Sequence, residues 1–173
     1  VRFRTPGTRI DLGGIAKGYA VDEAMRIMKQ NGIRRAFVAA SGDILTSGPP
    51  IGSEGWRVEV RNMDKFWNIY PRTLHLKHQA LSTSGDTEQF VEINGRHYSH
   101  IIDPRTGIGL TNRIAVTVVA SSSTMADSRA TAVSVMGIEK GMDYANQKKL
   151  QVLILTLNNE KHRLLKSTQW KLW

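Results

Sequence analysis

The chain is predicted to fold as α+β, a mainly antiparallel sheet with helices packed against it. Three observations carry this. Hairpin signals recur, the sharpest at Asn94-Gly95 between two strand-like segments. Short apolar or alternating runs, such as Ile114 to Ala120, read as strands. Helical stretches with recognisable starts and stops are interspersed among them.

In order, Ile15 to Asn31 reads as a helix. Val21, Ala24, Met25 and Met28 form one apolar stripe, and Gly32 supplies the stop. Asp11 is placed to act as its local cap. Ala36 to Ala40 is a short apolar strand ending in the turn Ser41-Gly42-Asp43. Thr46 to Gly55 reads as a Gly/Pro loop. Trp56 to Val60 alternates strictly and makes a half-buried strand. Leu74 to Leu81 is expected as one strand leading into Ser82-Thr-Ser-Gly-Asp86.

Phe90 to Ile93 and Arg96 to Ile102 are the arms of the Asn94-Gly95 hairpin. Ile114 to Ala120 is a buried strand, and the following Ser121-Ser-Ser-Thr124 cluster should cap a helix running to Met136, which Gly137 ends. Ile138 to Gln147 is a second helix. Val152 to Leu157 and His162 to Leu165 pair across Asn158-Asn159. No internal repeat or low-complexity linker divides the chain, so residues 1–173 are read as one domain.

Composition narrows the class. At 173 residues, with 40% hydrophobic and 23% charged content, the chain has the make-up of a globular protein. Its apolar runs are too short to cross a membrane as helices. Zero cysteines exclude disulfides and thiolate metal sites. Position 1 is Val, so targeting information is expected to lie outside this sequence. The net charge of +9 raises the question of nucleic acid. The basic residues are scattered, however, and no aromatic-basic stacking motif is present, so a basic surface is the preferred reading.

Chemistry concentrates in a few segments. Asp127 and Thr131 lie four positions apart near the start of a helix, which puts both on one face. A carboxylate beside a hydroxyl is a hard oxygen pair of the kind Mg²⁺ takes alongside phosphates. Either residue also has an innocent role, since the helix dipole favours an early Asp and Thr can bond back to its own backbone. Asp11-Leu-Gly-Gly-Ile-Ala-Lys-Gly18 sets Gly13 and Gly14 directly before a helix. Free N–H groups there favour a phosphate, with Lys17 adding charge, although a plainly capped helix fits equally well. Asp22 is read as a structural partner.

Ser41-Gly42-Asp43 and Ser84-Gly85-Asp86 are turn-formers by composition, at strand ends where binding loops gather. His97 and His100 are expected on one hairpin strand and one side of it. No third imidazole stands at a suitable spacing, so zinc is rejected. His100, beside Asp103-Pro104-Arg105-Thr106-Gly107, reads better as a general base next to a basic turn facing an anion. Singly these signals decide little; summed, they describe a site handling a phosphorylated ligand with a divalent ion.

The same segments resemble a known family. Residues 11 to 22, Thr83-Ser-Gly-Asp86, Tyr98 to Gly107 and Ala126-Asp-x-x-Ala-Thr131 occur in the order found in ApbE proteins, the FAD:protein FMN transferases. The likeness runs from about Pro6 to Gly137 and implies an ApbE/T-fold-like architecture, of which this chain resembles the C-terminal half. It implies an enzyme that moves the FMN unit of FAD onto a threonine hydroxyl of a target flavoprotein and releases AMP, with Mg²⁺ as cofactor and FAD as substrate. Carried over by motif, Asp127, Thr131 and a backbone carbonyl, that of Gly14, hold the metal. Lys17 lies against the FAD diphosphate, Ser84 and Asp86 near the dinucleotide, and Asp103 and Arg105 are carried over as FAD-binding residues with Gly14. His100 serves as base toward the acceptor hydroxyl.

Two alternatives accompany that reading: an FAD pyrophosphatase giving FMN and AMP, and a non-catalytic flavin- or metal-binding fragment. Family members are often anchored outside the bacterial cytoplasmic membrane, which makes a periplasmic or membrane-anchored location an expectation of the resemblance alone. A homodimer that completes the pocket is a further one.

Overall fold

The structure is a computed structural model and describes residues 2–60, 73–85, 90–158 and 161–171. Helix α1 spans Ala16–Gln30, α2 Ser123–Met136 and α3 Ile138–Gln147. The strands are β1 (Phe37–Ala40), β2 (Asp43–Thr46), β3 (Trp56–Glu59), β4 (Thr73–Leu76), β5 (Ala80–Gly85), β6 (Phe90–Ile93), β7 (Arg96–Ser99), β8 (Ile102–Asp103), β9 (Ile108–Gly109), β10 (Ile114–Ala120), β11 (Gln151–Asn158) and β12 (Lys161–Lys166). Six of them form one sheet in the order β1-β2-β5-β10-β11-β12, with every adjacent pair antiparallel. The expected α+β class is what forms.

The helices line one face of this sheet, α1 over β1 and β2, α2 over β5 and β10, α3 against β11. Strand β10 explains the arrangement. Its residues alternate between faces, yet nearly all are buried. Ile114, Val116 and Val118 pack with Ala130 and Val133 of α2 and with Val152 and Ile154. Val119, on the other face, joins Leu81, Leu153 and Trp170 beneath Val58, Leu74 and Leu76 of the β3–β4 hairpin. A strand covered on both sides needs a nearly continuous apolar run, which Ile114 to Ala120 supplies; its one hydroxyl, on Thr117, is buried and hydrogen-bonded to that of Thr83 at 2.9 Å.

Several elements differ from expectation. Leu74 to Leu81 is two strands, because His78 turns the chain with φ +53. The sequence Lys77-His78-Gln79 gives no Gly or Pro to announce that break. The Arg96 to Ile102 arm stops at Ser99, and the chain bends before the short β8–β9 hairpin. Strand β2 lies where a turn and a loop were expected. Ser41 and Gly42 take φ +48 and +93 and join Ala40 directly to Asp43 across a two-residue hairpin. Asp11 does not cap α1: the residue at that position is Ile15, and the Asp11 carboxylate instead accepts the Gly13 N–H at 2.6 Å within its own turn. Among the described residues, no helix is long and apolar enough to cross a membrane.

Candidate active site

The register of β5 on β10 aligns Ser82 with Val118 and Ser84 with Val116, so both serines share the face that α2 covers. Ala80, two residues before Ser82 on the same face, lies in the cluster with Val21 and Met25 of α1 and Ala126 of α2. Small and hydroxylic side chains beneath two helix starts leave room for polar groups. Those groups come from α1, from α2 and from the β1–β2 turn.

Helices α1 and α2 meet at their N-terminal ends. A Cβ on Gly18 would stand 2.8 Å from the Thr124 Cα and closer still to the Ser123 carbonyl, so only glycine permits this approach. The contact brings each helix start within reach of a carboxylate from the other helix. Asp22 accepts the N–H groups of Ser123 at 2.7 Å and Thr124 at 2.9 Å, and the Thr124 hydroxyl as well. Ser122, from the expected serine cluster, adds its own bond to the Met125 N–H at 3.3 Å. In return, Asp127 Oδ2 accepts the Gly18 N–H at 3.0 Å. Four otherwise unpaired N–H groups are thereby satisfied.

That leaves Asp127 Oδ1, which the Lys17 ammonium approaches to 3.1 Å. Lys17 Nζ also donates to the Gly13 carbonyl at 3.3 Å and lies 3.4 Å from Asp43 Oδ2. Both carboxylates are almost sealed, Asp127 at 1% exposure and Asp43 at 2%, while the lysine side chain stays 41% exposed. Asp43 Oδ1 accepts a hydrogen bond from the Ser82 hydroxyl; Oδ2 has the ion pair and no hydrogen bond. Burial pushes the Asp43 carboxyl above the usual aspartate range, against the opposing pull of the Ser82 hydroxyl, and the nearby Asp127 charge adds to the rise while Lys17 opposes it. Burial of Lys17 opposes its charge, but Asp43 and Asp127 outweigh this and raise its pKa.

One turn along α2, the Thr131 hydroxyl lies 3.1 Å from Ser84 Oγ. A Cβ on Gly14 would come within 3.1 Å of the Thr131 methyl, so the Gly13-Gly14 turn is pressed against this part of α2. Of the residues singled out from the sequence, Gly14, Lys17, Ser84, Asp127 and Thr131 thus come together. Among the described residues no group of three or more His, Asp and Glu side chains assembles; hydroxyl and carbonyl oxygens must complete any cation shell here.

The other residues singled out from the sequence do not join that cluster. Asp86 lies outside the described residues. Asp103 and Arg105 pair with each other at the β8–β9 tip, through bonds of 2.8 Å from both Nε and Nη2. The Arg105 guanidinium holds the Asp103 carboxyl below its usual range. They border a cavity of about 380 Å³ shared with Arg96, Tyr98 and Asn112. His100 is exposed, in the bend after β7. His97 and His100 do not share a strand face: they stand three positions apart, an odd spacing, and the strand ends at Ser99. His97 stacks on Phe90 instead, ring centroids 4.1 Å apart.

Two members of the cluster are additions to the sequence reading. Asp43 reads there as a turn residue, although its tripeptide Ser41-Gly42-Asp43 repeats the pattern of Ser84-Gly85-Asp86. Ser82 carries no signal beyond its place two residues before Ser84.

Comparison with known proteins bears on this arrangement. Residues 1–154 match the model of the ApbE family. The chain is similar to the FAD:protein FMN transferase of Escherichia coli K12, 31% identical over 169 residues that cover 96% of this chain and 48% of that protein. It is 37% identical to the Rhodobacter capsulatus protein of the same name over 140 residues, covering 80% of this chain and 26% of the relative. Among solved structures, flavin transferase ApbE from Vibrio cholerae superposes with a TM-score of 0.84 at 31% identity, covering 95% of this chain and 52% of the other. The ApbE protein of Thermotoga maritima gives a TM-score of 0.83 at 34% identity, covering 95% and 53%. The chain therefore spans about half the length of several curated relatives it matches. The family match takes in every residue of the Lys17 cluster, and on that match this chain belongs to the ApbE family.

Proposed function

We propose that this chain carries the phosphate and cation centre of a flavin transferase, which moves the FMN unit of FAD onto a threonine hydroxyl of a target flavoprotein and releases AMP. The observation that carries this reading is the Lys17 ammonium seated on Asp127 Oδ1 and the Gly13 carbonyl, with Thr131 one turn away on α2. Those oxygens already attract a cation. The relatives named above are FAD:protein FMN transferases, and the family resemblance supplies the substrate.

The residues fit Mg²⁺. Asp127 offers its second carboxylate oxygen, Thr131 a hydroxyl, and the Gly13-Gly14 turn its carbonyls, all hard donors. Two buried carboxylates facing one ammonium leave the centre a net negative charge, and Asp43 Oδ2 has no hydrogen bond. When bound, Mg²⁺ supplies charge neutralisation at the phosphoryl oxygens. The chain's own groups do the rest. The Lys17 ammonium holds the diphosphate by charge. His100 accepts the proton of the acceptor threonine as its oxygen bonds to the FMN phosphorus, and the bond to the AMP oxygen breaks.

The test is AMP release from FAD with Mg²⁺, with and without a threonine-bearing acceptor protein, for this chain and its Asp127→Ala variant. Release that requires both Mg²⁺ and Asp127, with covalent flavin fluorescence on the acceptor, is the expected result. Release without acceptor labelling replaces the transferase reading with a hydrolase. No release from either protein overturns catalysis by this chain.

A further inference from the structure

We propose that Asp43 is a positioning residue for Lys17: it retains the ammonium in the site when a divalent cation takes Asp127, so that the lysine is passed from one carboxylate to the other. The inference rests on the cation reading of Asp127 and Thr131 given above.

The geometry argues for a transfer rather than an expulsion. Asp127 has one oxygen to give, because Oδ2 is committed to the Gly18 N–H. Lys17 holds the other at 3.1 Å, the same oxygen a cation at Asp127 and Thr131 requires. Two cations do not share one carboxylate oxygen in a site this dry without strong mutual repulsion. Lys17 must therefore withdraw, and Asp43 Oδ2 already stands 3.4 Å from its nitrogen.

Asp43 is built to receive it. The two-residue turn at Ser41 and Gly42, both at positive φ, fixes where β2 begins. The Ser82 hydroxyl anchors Oδ1, leaving Oδ2 directed at the lysine without a hydrogen bond of its own. A carboxylate sealed at 2% exposure is costly unless a cation faces it. Lys17 is the reverse, a half-exposed flexible chain able to shift by the small distance involved. With Asp43 in place the ammonium stays beside the diphosphate position after the cation arrives. Without it, Lys17 keeps the Gly13 carbonyl and Asp127, and competes for the cation's own ligand.

The experiment is a titration with Mn²⁺, an oxygen-seeking probe for the same site, read as free Mn²⁺ by electron paramagnetic resonance. The full chain is compared with Lys17→Met, Asp43→Asn and the double variant, each checked for folding by its melting curve. Asp43→Asn weakens Mn²⁺ binding in both backgrounds by loss of charge, but the loss with Lys17 present should exceed that in the Lys17→Met background by about tenfold. Equal losses mean that Asp43 acts on the ion directly and overturn the transfer. Should Asp43→Asn fail to fold, Lys17→Met decides alone: tighter Mn²⁺ binding is expected, and unchanged binding overturns the competition on which the proposal stands. Absence of Mn²⁺ binding by the unaltered chain overturns the cation reading itself, and this inference with it.

Discussion

Gly18 of α1 lies in backbone contact with Ser123 and Thr124 of α2, so close that a Cβ would stand 2.8 Å from the Thr124 Cα. The helices pack here without side chains between them. That approach is what delivers the Gly18 N–H to Asp127, and Asp22 to the start of α2. Gly18→Ala should push the helices apart and lower stability by about 1–3 kcal/mol. In a domain of this size each kcal/mol lowers Tm by about 2–4 °C, which calorimetry resolves.

Asp22 should behave as a cap contributed by the neighbouring helix. Asp22→Ala leaves the Ser123 and Thr124 N–H groups without their acceptor and should cost about 1–2 kcal/mol in urea unfolding. Asp22→Asn retains one acceptor oxygen and should lose less.

The buried Asp43 carboxyl makes a signed prediction about pH. Its folded pKa is raised, so the native state binds the proton more tightly than the unfolded chain does. Its contribution to stability is therefore fully present below the ordinary aspartate pKa and lost as pH rises through the raised value. Asp43→Asn removes that titration. The stability of the unaltered chain minus that of the variant should fall as pH rises from the acid range toward neutrality, measured by urea midpoints at a series of pH values. A flat difference contradicts the assignment.

Thr131→Val keeps the shape of the side chain and removes the hydroxyl facing Ser84. Loss of groups around a metal commonly lowers affinity by about 10–100-fold, so the Mg²⁺ concentration for half-maximal AMP release should rise by that order. The melting temperature should move little, since a single half-buried hydrogen bond is lost.

His100→Ala tests the base. Turnover should fall by about 10²–10⁴-fold while FAD binding, followed by flavin fluorescence quenching, stays close to that of the unaltered chain. Loss of FAD binding in this variant would make His100 a binding residue instead.

Much of this is legible in the sequence because the relevant signals are local. The Asp127 and Thr131 pair four residues apart, the double glycine before a helix and the Asn94-Gly95 hairpin each speak through near neighbours. The exposed His78 turn is hidden, since a non-glycine at positive φ leaves no compositional mark. Asp43 and Ser82 are hidden for another reason: their roles depend on strand register, which sets Ile44 of β2 against Leu81 of β5 far along the chain. Asp22 reads correctly as structural, but its partners are about a hundred residues away and no local pattern names them.

The division of labour inside Asp127 has a consequence for how such sites age. One oxygen fastens α1, and only the other faces Lys17. A descendant that abandoned the chemistry would still be under pressure to keep this aspartate, because its architecture leans on it. The Thr131 hydroxyl, held by a single bond to Ser84, carries no comparable structural duty and would drift first. Within this fold, then, Asp127 would persist with the packing of α1 against α2, whatever became of the groups around it.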